Sequence, residues 1–279
     1  MALSDARQGA GWQARLELGF SRHGTRTVLT HRLHRGPLMI QRPFYPEGEG
    51  CCHVYLLHPP GGVVGGDSLE LQVDVEAGAR ALITVPAAGK FYRSGGAEAS
   101  QEQHIRVADG AVMEWLPQET IVFDGARLDS LTRVELEAEA SFIGWEITCM
   151  GRPASGALFH SGSMRQRFEL WREGRPLLLD RGHWQGTGKE MQAQWGLSGQ
   201  PMLGTMMVTG RFDEELDAMR EALQAWPGHF ALSQLPEVLV CRYLGADAYQ
   251  ARAGFTEIWR RLRPLISGHE VCEPRIWNT

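Results

Sequence analysis

The sequence predicts a mainly β fold of the α+β class, with stacked β-hairpins forming β-helix-like sheets and two helices in the C-terminal third. Three observations predict it: short segments that alternate apolar with polar residues, a repeated strand–turn–strand unit, and two amphipathic stretches near the end. No linker rich in Pro or Ser divides the 279 residues. We therefore expect a single domain over residues 1–279, with residues 1–11 as a flexible N-terminus.

Strands are predicted through the first two-thirds of the chain, where turn residues such as those at 76–78 and 108–110 separate short alternating segments. The predicted strands cover residues 69–75, 80–85, 103–107, 112–116 and 132–136.

A weak internal repeat supports the stacked arrangement. Residues 73–79 align with residues 105–111 and with residues 134–140, although Glu139 replaces the turn glycine in the third copy. Each copy is one strand, a tight turn and a second strand. Because such a unit cannot bury its apolar face alone, it must stack on its neighbours.

Two amphipathic helices are predicted in the last third, over residues 213–226 and 247–263. Asp247 is a suitable N-cap for the second helix, and Pro264 is expected to end it. Each helix should pack an apolar stripe on the protein's own core. The stripes are Leu216, Met219, Leu223 and Trp226 in the first helix, and Ala251, Phe255, Ile258, Trp259 and Leu262 in the second.

The bulk composition argues against two classes of partner. The formal net charge of −5 does not suit broad nucleic-acid binding, which needs a cationic surface. No stretch approaches the roughly 18 apolar residues of a membrane span.

The five cysteines are odd in number and mostly scattered, and the N-terminus lacks the apolar core of a secretory signal. We expect a cytoplasmic protein without a disulfide framework.

The richest motif is the glycine-rich segment 58–67, which could in principle cradle a phosphate. No Gly-Lys-Ser/Thr follows it, and the next residues indicate a strand rather than a helix, so nucleotide binding is not expected. The favoured interpretation is a tight loop with His58 at its mouth and Asp67 capping its turn amides. The loop glycines are Gly61, Gly62, Gly65 and Gly66.

Soft metal ligands occur close together at Cys51, Cys52 and His53, with His58 nearby. Strand alternation would place Cys51 and His53 on one face and Cys52 on the other. No second ligand pair completes a recognisable site, so no metal ligand is predicted. No nucleophile elbow or zinc-helix motif organises the acids, and no catalytic residue is predicted either. One alternative stays open, a small metal-dependent hydrolase that uses His53, His58 and Asp67.

Five segments in order resemble the UreD (UreH) family of urease accessory proteins. They cover residues 36–47, 58–67, 116–126, 151–156 and 274–279, so that the resemblance runs from about residue 12 to the end. One such segment would be weak, whereas five in the family's order are specific.

The resemblance implies a β-rich stack of sheets with two helices and a function without turnover. Such proteins help urease maturation: they bind a UreF-type helical accessory protein and, through it, a UreG-type GTPase, and the assembly docks on urease apoprotein to insert nickel. Family models route nickel through an internal water-filled tunnel. Such a tunnel needs weak, exchangeable oxygen donors. We therefore expect transient nickel and no tightly bound cofactor.

The resemblance also suggests which residues serve partner interfaces or the metal path. Glu119 and Asp124 are candidate cation guides, with surface capping as the equal alternative, and Arg152 is a candidate docking or ion-pair residue. Ala157 stands where the family commonly has glutamate, so this chain lacks whatever that carboxylate contributes. The other candidates are His58, Gly61, Gly62, Gly65, Gly66 and Asp67.

Overall fold

The computed structural model describes residues 11–278, which form two stacked β-sheets and a layer of helices. The smaller sheet has seven strands and the larger sheet has eleven. One apolar core lies between the sheets, and a second lies between the larger sheet and the two helices. The predicted flexible N-terminus lies outside the described residues, apart from Gly11.

The strands are numbered along the chain. They are β1 (Gln13–His23), β2 (Arg26–Arg35), β3 (Met39–Ile40), β4 (Cys52–Leu57), β5 (Ser68–Val75), β6 (Arg80–Thr84), β7 (Gly89–Phe91), β8 (Ala99–Val107), β9 (Val112–Leu116), β10 (Thr120–Val122), β11 (Arg127–Leu136), β12 (Ser141–Arg152), β13 (Ala157–Leu158), β14 (Ser163–Arg172), β15 (Arg175–Gln185), β16 (Met202–Thr209), β17 (His229–Gln234) and β18 (Val238–Gly245). The α-helices are α1 (Leu216–Leu223) and α2 (Ala248–Ser267), and short 3-10 helices cover Pro153–Ser155, Lys189–Met191 and Arg275–Asn278.

Strand order shows how the units stack. The smaller sheet runs β15-β14-β11-β8-β5-β1-β2, and the main path of the larger sheet runs β17-β18-β16-β12-β9-β6-β4-β3. Strands β5, β8 and β11 are parallel neighbours in the smaller sheet, and β6, β9 and β12 are parallel neighbours in the larger one. Each predicted repeat therefore places its first strand in one sheet and its second strand in the other, which confirms the predicted β-helix-like fold.

The alignment of the repeat also predicts the strand register. Val73 lies opposite Ile105, and Ile105 lies opposite Val134, as the sequence alignment places them. All three side chains are fully buried between the sheets. The turns differ as their sequences indicate. Gly78 and Gly110 have left-handed backbones, whereas Glu139, with a side chain that disfavours that conformation, does not.

The helices follow the predicted stripes but not all of the predicted ends. Helix α1 is shorter than the predicted 213–226. Asp247 caps α2, because its side chain accepts a hydrogen bond from the amide of Tyr249 at 2.8 Å. The prediction that Pro264 ends this helix is wrong, since α2 continues to Ser267 and stops at Gly268, whose φ is 67°. Neither described helix combines the length and apolar character that a membrane crossing requires.

Packing explains why α2 passes through a proline. A proline inside a helix costs about 3 kcal/mol. The residues after Pro264 pack inward: Ile266 lies against the core beneath the helices, and the buried Ser267 donates its hydroxyl to the carbonyl of Arg263 at 2.9 Å. These contacts keep the last turn helical in spite of the cost at Pro264.

Candidate functional site

Two cavities lie between the sheets, with a narrow passage between them. The first cavity has a volume of about 330 Å³ and is lined in part by His58, and the second has a volume of about 390 Å³ and is lined in part by Asp180. The passage, of about 30 Å³, shares Gln101 and Gln103 with the first cavity and Gln166 with the second. We call the two cavities and the passage the polar channel.

The sheet register builds the walls of the passage. Gln101 lies opposite Ser130, and Ser130 lies opposite Gln166, so three neighbouring strands place polar side chains at one level. One step along the strands, Gln103 lies opposite Thr132. Inward positions recur every second residue and are apolar elsewhere on these strands, as the burial alternation of β11 shows. The polar residues therefore interrupt the apolar core at its centre.

Glu146 is the carboxylate at the centre of the passage. It lies on β12 and accepts hydrogen bonds from the hydroxyl of Thr132 and from Nε2 of Gln166, the latter at 3.0 Å. The pKa of Glu146 is raised to about 7, because burial and, to a smaller extent, the nearby carboxylate of Asp180 outweigh the two hydrogen bonds, which lower it. Glu146 keeps some accessible surface although it lies between two sheets, because the passage reaches it.

The second cavity is lined by another acid, whose surroundings are more polar than those of Glu146. Asp180 on β15 accepts hydrogen bonds from the hydroxyl of Thr205 at 2.6 Å and from Nη1 of Arg242 at 2.9 Å. His229 also lines this cavity. The guanidinium of Arg242 compensates the charge of Asp180, whereas no cationic side chain among the described residues contacts Glu146. Glu146 is thus the carboxylate of the passage that is available to balance a mobile cation.

The donor types define what the polar channel can do. Its passage offers carboxylate, amide and hydroxyl oxygens, and no cysteine of the described chain lines either cavity or the passage. Oxygen donors bind a divalent transition-metal ion weakly and exchange it readily, whereas thiolates retain it. The arrangement can therefore solvate a cation inside the protein without holding it permanently.

The glycine-rich loop forms one wall of the first cavity. His58, Gly61 and Gly62 line this cavity, and burial lowers the pKa of His58, which favours the neutral imidazole. A Cβ at Gly62 would collide with the ring of Tyr92 and with the carbonyl of Lys90. The chain can pass so close to its neighbours there only without a side chain.

Asp67 holds the base of the loop. Its carboxylate accepts hydrogen bonds from the amides of Trp12 at 2.8 Å and Val64 at 3.0 Å. Asp67 thus caps amides of the loop and of the segment before β1, and it does not line the polar channel. Gly65 and Gly66 also lie behind the channel wall, where Gly65 packs against Ser94 and the carbonyl of Ala97.

Asp124 and Arg152 lie apart from the polar channel, on a separate surface depression that also contains Ala157. Asp124 accepts hydrogen bonds from the amides of His160 and Ser161 at 2.9 and 2.8 Å. These bonds, the Ser161 hydroxyl and the guanidinium of Arg93 outweigh desolvation and lower the pKa of Asp124. Arg152 lies over the ring of Phe123. Asp124 is therefore placed as a loop cap.

Glu119 also lies outside the channel lining. Its carboxylate is 3.9 Å from Nη1 of Arg252 on α2, and its own carbonyl accepts a hydrogen bond from the amide of Gly89. Its neighbours Gln118 and Thr120 line the first cavity, but the side chain of Glu119 does not. The structure thus brings together His58, Gly61 and Gly62 at the channel and leaves the predicted acids elsewhere.

The residues of the hydrolase alternative are not assembled. Cys51 packs in the core beneath the helices, with His53 close to it, as the predicted strand alternation places them. His58 instead lines the cavity between the sheets, and the carboxylate of Asp67 is engaged by loop amides. The two histidines therefore face different layers of the protein.

Sequence reasoning missed the centre of the polar channel. Gln101, Ser130, Glu146 and Gln166 are absent from the predicted site, although a usable signal was present. The repeat shows that the side chain of Val134 points into the core. Because every second residue of a strand points the same way, counting back in steps of two reaches Ser130, a polar residue on the buried face of β11. Polar residues at inward positions of neighbouring repeats would have marked this level.

Comparisons with known proteins identify relatives over nearly the whole chain. The family model described as UreD urease accessory protein matches residues 13–278. The protein named urease accessory protein UreD from Azoarcus sp. (strain BH72) is 47% identical over 271 residues, which cover 96% of this chain and 95% of the relative. Its namesake from Dechloromonas aromatica (strain RCB) is 44% identical over 286 residues, covering 100% of this chain and 99% of the relative. A third, from Pseudomonas fluorescens (strain Pf-5), is 46% identical over 268 residues, covering 96% and 95%.

Proposed function

The chain belongs to the UreD family of urease accessory proteins, and from this premise we propose that it is a non-catalytic scaffold that passes nickel to urease apoprotein through the polar channel. Nickel is the cargo in this proposal. The scaffold bridges the apoenzyme to a UreF-type helical accessory protein and a UreG-type GTPase in the cytoplasm.

One observation carries the proposal: the carboxylate of Glu146 lines a narrow passage, with amide and hydroxyl groups beside it, between two larger cavities. A protein that needed only a rigid core would gain more from apolar side chains there, because burial of polar groups is costly. The polar side chains of Glu146, Gln103, Ser130 and Gln166 at the level of the passage therefore support the proposal that hydrated species pass through it.

The protonation of Glu146 suits a step of transient binding. With its pKa raised to about 7, the carboxyl group is close to half-protonated at neutral pH. An arriving divalent cation displaces the proton and gains the carboxylate as a ligand, and the proton returns when the ion leaves. Weak binding of this kind lets the ion move on towards the next partner.

The two cavities also carry a histidine each. His58 lines the first cavity and His229 lines the second. Imidazole is a stronger ligand for nickel than carbonyl or hydroxyl oxygen. We propose that the histidines receive and release the ion at the two ends, with Glu146 between them.

The test compares two Glu-to-Gln variants in urease activation reconstituted from purified components. Glu146→Gln removes the charge of the passage with almost no change of shape, and should lower the nickel content and activity of urease while complex formation persists. Glu102→Gln is the matched control, because Glu102 lies on β8 between two channel residues but points to solvent. Normal nickel loading with Glu146→Gln would overturn the channel, and failure of the wild-type chain to bind either partner would overturn the scaffold.

A further inference from the structure

A row of apolar side chains lies on the surface and belongs to neither core. It is anchored by four buried residues in register, from the glycine-rich loop and from β7, β10 and β12: Val63, Phe91, Val122 and Met150. Because successive residues of an extended segment point to opposite faces, the residue after each anchor points outwards. We call these outward positions the apolar row. They are Val64, Tyr92, Phe123 and Gly151, with Leu158 opposite Gly151 on β13.

The apolar row is open to solvent at both of its ends. Val64 is 49% exposed and Leu158 is 47% exposed. Between them, the rings of Tyr92 and Phe123 are partly buried and pack edge to face, with 4.7 Å between their centroids. Neighbouring strands lie about 4.8 Å apart, so the five positions span about 19 Å. A continuous exposed apolar strip of this kind marks a surface that another protein covers.

Gly151 leaves a gap in the row. Its φ is 82°, and a Cβ there would collide with the carbonyl oxygen of Ala157, so that only glycine fits. A surface depression of about 350 Å³ lies beside this gap and is lined by Phe123, Arg152 and Ala157, among others. The depression is large enough to receive one anchoring side chain of a partner.

Arg152 presents an uncompensated charge at this depression. Its guanidinium carbon lies 4.9 Å from the centre of the Phe123 ring, and no carboxylate among the described residues lies within 4.0 Å of it. The residue opposite Arg152 in the register is Ala157, which offers no acceptor. A guanidinium that stacks on a ring keeps its N–H donors in the plane where a carboxylate binds best.

The other charges near the row do not cancel that of Arg152. Arg93 already pairs with Asp124 at 2.5 Å, so the ionised residues that line the depression have a local sum of +1, whereas the chain as a whole carries −5. Lys90 lies two residues before Tyr92, on the same face, and it is exposed with no acid of the described chain within 4.0 Å. This surface therefore attracts negative charge.

We propose that the apolar row and its cations dock an acidic amphipathic segment of a partner protein. Apolar side chains of this segment cover the row, and its carboxylates pair with Arg152 and Lys90. A free anion would gain nothing from the row itself, which favours a polypeptide. The inference rests on the proposed scaffold function and adds to it the surface and the chemistry of one partner.

The location of the row suits a partner that exchanges an ion with the polar channel. The hydroxyl of Tyr92 donates to the carbonyl of Gly61 at 3.0 Å, and Gly61 lines the first cavity. A segment seated on the row would therefore lie against the glycine-rich loop, at the wall of the first cavity.

Thiol labelling of the full chain in its reconstituted assembly tests the proposal. In Leu158→Cys, reaction of the new thiol with a maleimide, followed by peptide mass spectrometry, should slow by about tenfold or more when the UreF-type protein, the UreG-type GTPase and urease apoprotein are added, because a packed interface excludes the reagent. Leu33→Cys is the matched control, since Leu33 is 46% exposed and lies opposite Glu17 on the outer face of the smaller sheet. Its labelling should not change.

Charge reversal gives a second, independent readout. Arg152→Glu should weaken the assembly by about tenfold or more, because it places an acid against an acidic segment. Arg42→Glu is the control: Arg42 is also exposed, stacks on Phe44 at 5.5 Å and has no acid of the described chain within 4.0 Å, but it lies in the loop before β4. Sedimentation of the mixed components measures both affinities.

Three outcomes would overturn the docking surface. If the wild-type chain assembles while Leu158→Cys is labelled as fast as in the free chain, the inference fails and the scaffold function stands. If the wild-type chain binds no partner, the scaffold function fails first and the inference with it. If Leu158→Cys is protected in the chain alone at raised concentration, the row is a contact between two copies. The labelling decides the matter even if Arg152→Glu fails to fold.

Discussion

Arg263 of α2 donates from Nη2 to Oε1 of Glu47 at 2.6 Å, which joins the C-terminal helix to a loop 216 residues earlier in the chain. The same guanidinium bonds Glu114 on β9 at 3.1 Å, and its side chain has no accessible surface. The positive charge of Arg263 thus compensates the buried negative charges of Glu47 and Glu114.

Replacement of Arg263 should be strongly destabilising. Arg263→Met keeps much of the length of the side chain but leaves Glu47 and Glu114 buried without their cation, which costs about 3–5 kcal/mol. Denaturant unfolding monitored by circular dichroism measures this loss. Arg261→Met on the same helix is the control, because its pair with Glu257 is exposed and should contribute less than about 1 kcal/mol. Equal effects of the two variants would contradict the buried network.

Stability should also depend on pH through Glu146. Its pKa rises from 4.5 to about 7 on folding, so the folded state binds the proton more tightly than the unfolded state. This group therefore contributes at most about 3 kcal/mol to the free energy of unfolding. The contribution is complete below pH 4.5 and is lost as the pH rises through about 7.

The Glu146→Gln variant should flatten this part of the profile, because glutamine stays neutral. It should therefore unfold at higher denaturant than the wild-type chain at pH 8 and at nearly the same denaturant at pH 4.5. The measurement is a series of urea unfolding curves between these two pH values. A parallel pair of profiles for variant and wild type would show that Glu146 is not desolvated.

The local repeat made the fold predictable from the sequence, whereas contacts between residues far apart in the chain could not be predicted. Val73, Ile105 and Val134 carry the same local pattern, so their alignment gives both the stacking and the register. Glu146 joins Thr132 and Gln166 only after two sheets pack face to face, and no single strand shows that pairing. Local propensity failed where packing was stronger, which is why the helix passes through Pro264.

The same limit of local sequence reasoning explains why the two predicted cation guides lie away from the polar channel. Glu119 and Asp124 lie in the motif that carries the family resemblance, but a linear motif does not show which way a loop side chain turns. Asp124 turns back to the amides of His160 and Ser161, and Glu119 turns towards Arg252. Their presence in the motif is accounted for by local structure.

Asp124 should therefore affect stability rather than nickel delivery. Asp124→Ala removes the acceptor of two amides and should cost about 1–2 kcal/mol, as loss of a capping side chain does. Asp124→Asn keeps an oxygen acceptor without the charge, and urease activation should then stay close to that of the wild-type chain. Thermal unfolding and reconstituted activation measure the two effects. Loss of activation in a stably folded Asp124→Asn protein would instead make Asp124 a cation guide.

Two adjacent glycines of the loop should respond differently to the same substitution. A Cβ at Gly62 would meet the Tyr92 ring and the Lys90 carbonyl, whereas a Cβ at Gly61 meets nothing within 4 Å. Gly62→Ala should therefore cost about 1–3 kcal/mol, because the loop must move away from β7. Gly61→Ala should be neutral or stabilise by up to about 1 kcal/mol through the unfolded state. Urea unfolding of the two variants measures the difference, and since both residues line the first cavity, equal effects would mean that the loop does not pack against Tyr92 as the structure shows.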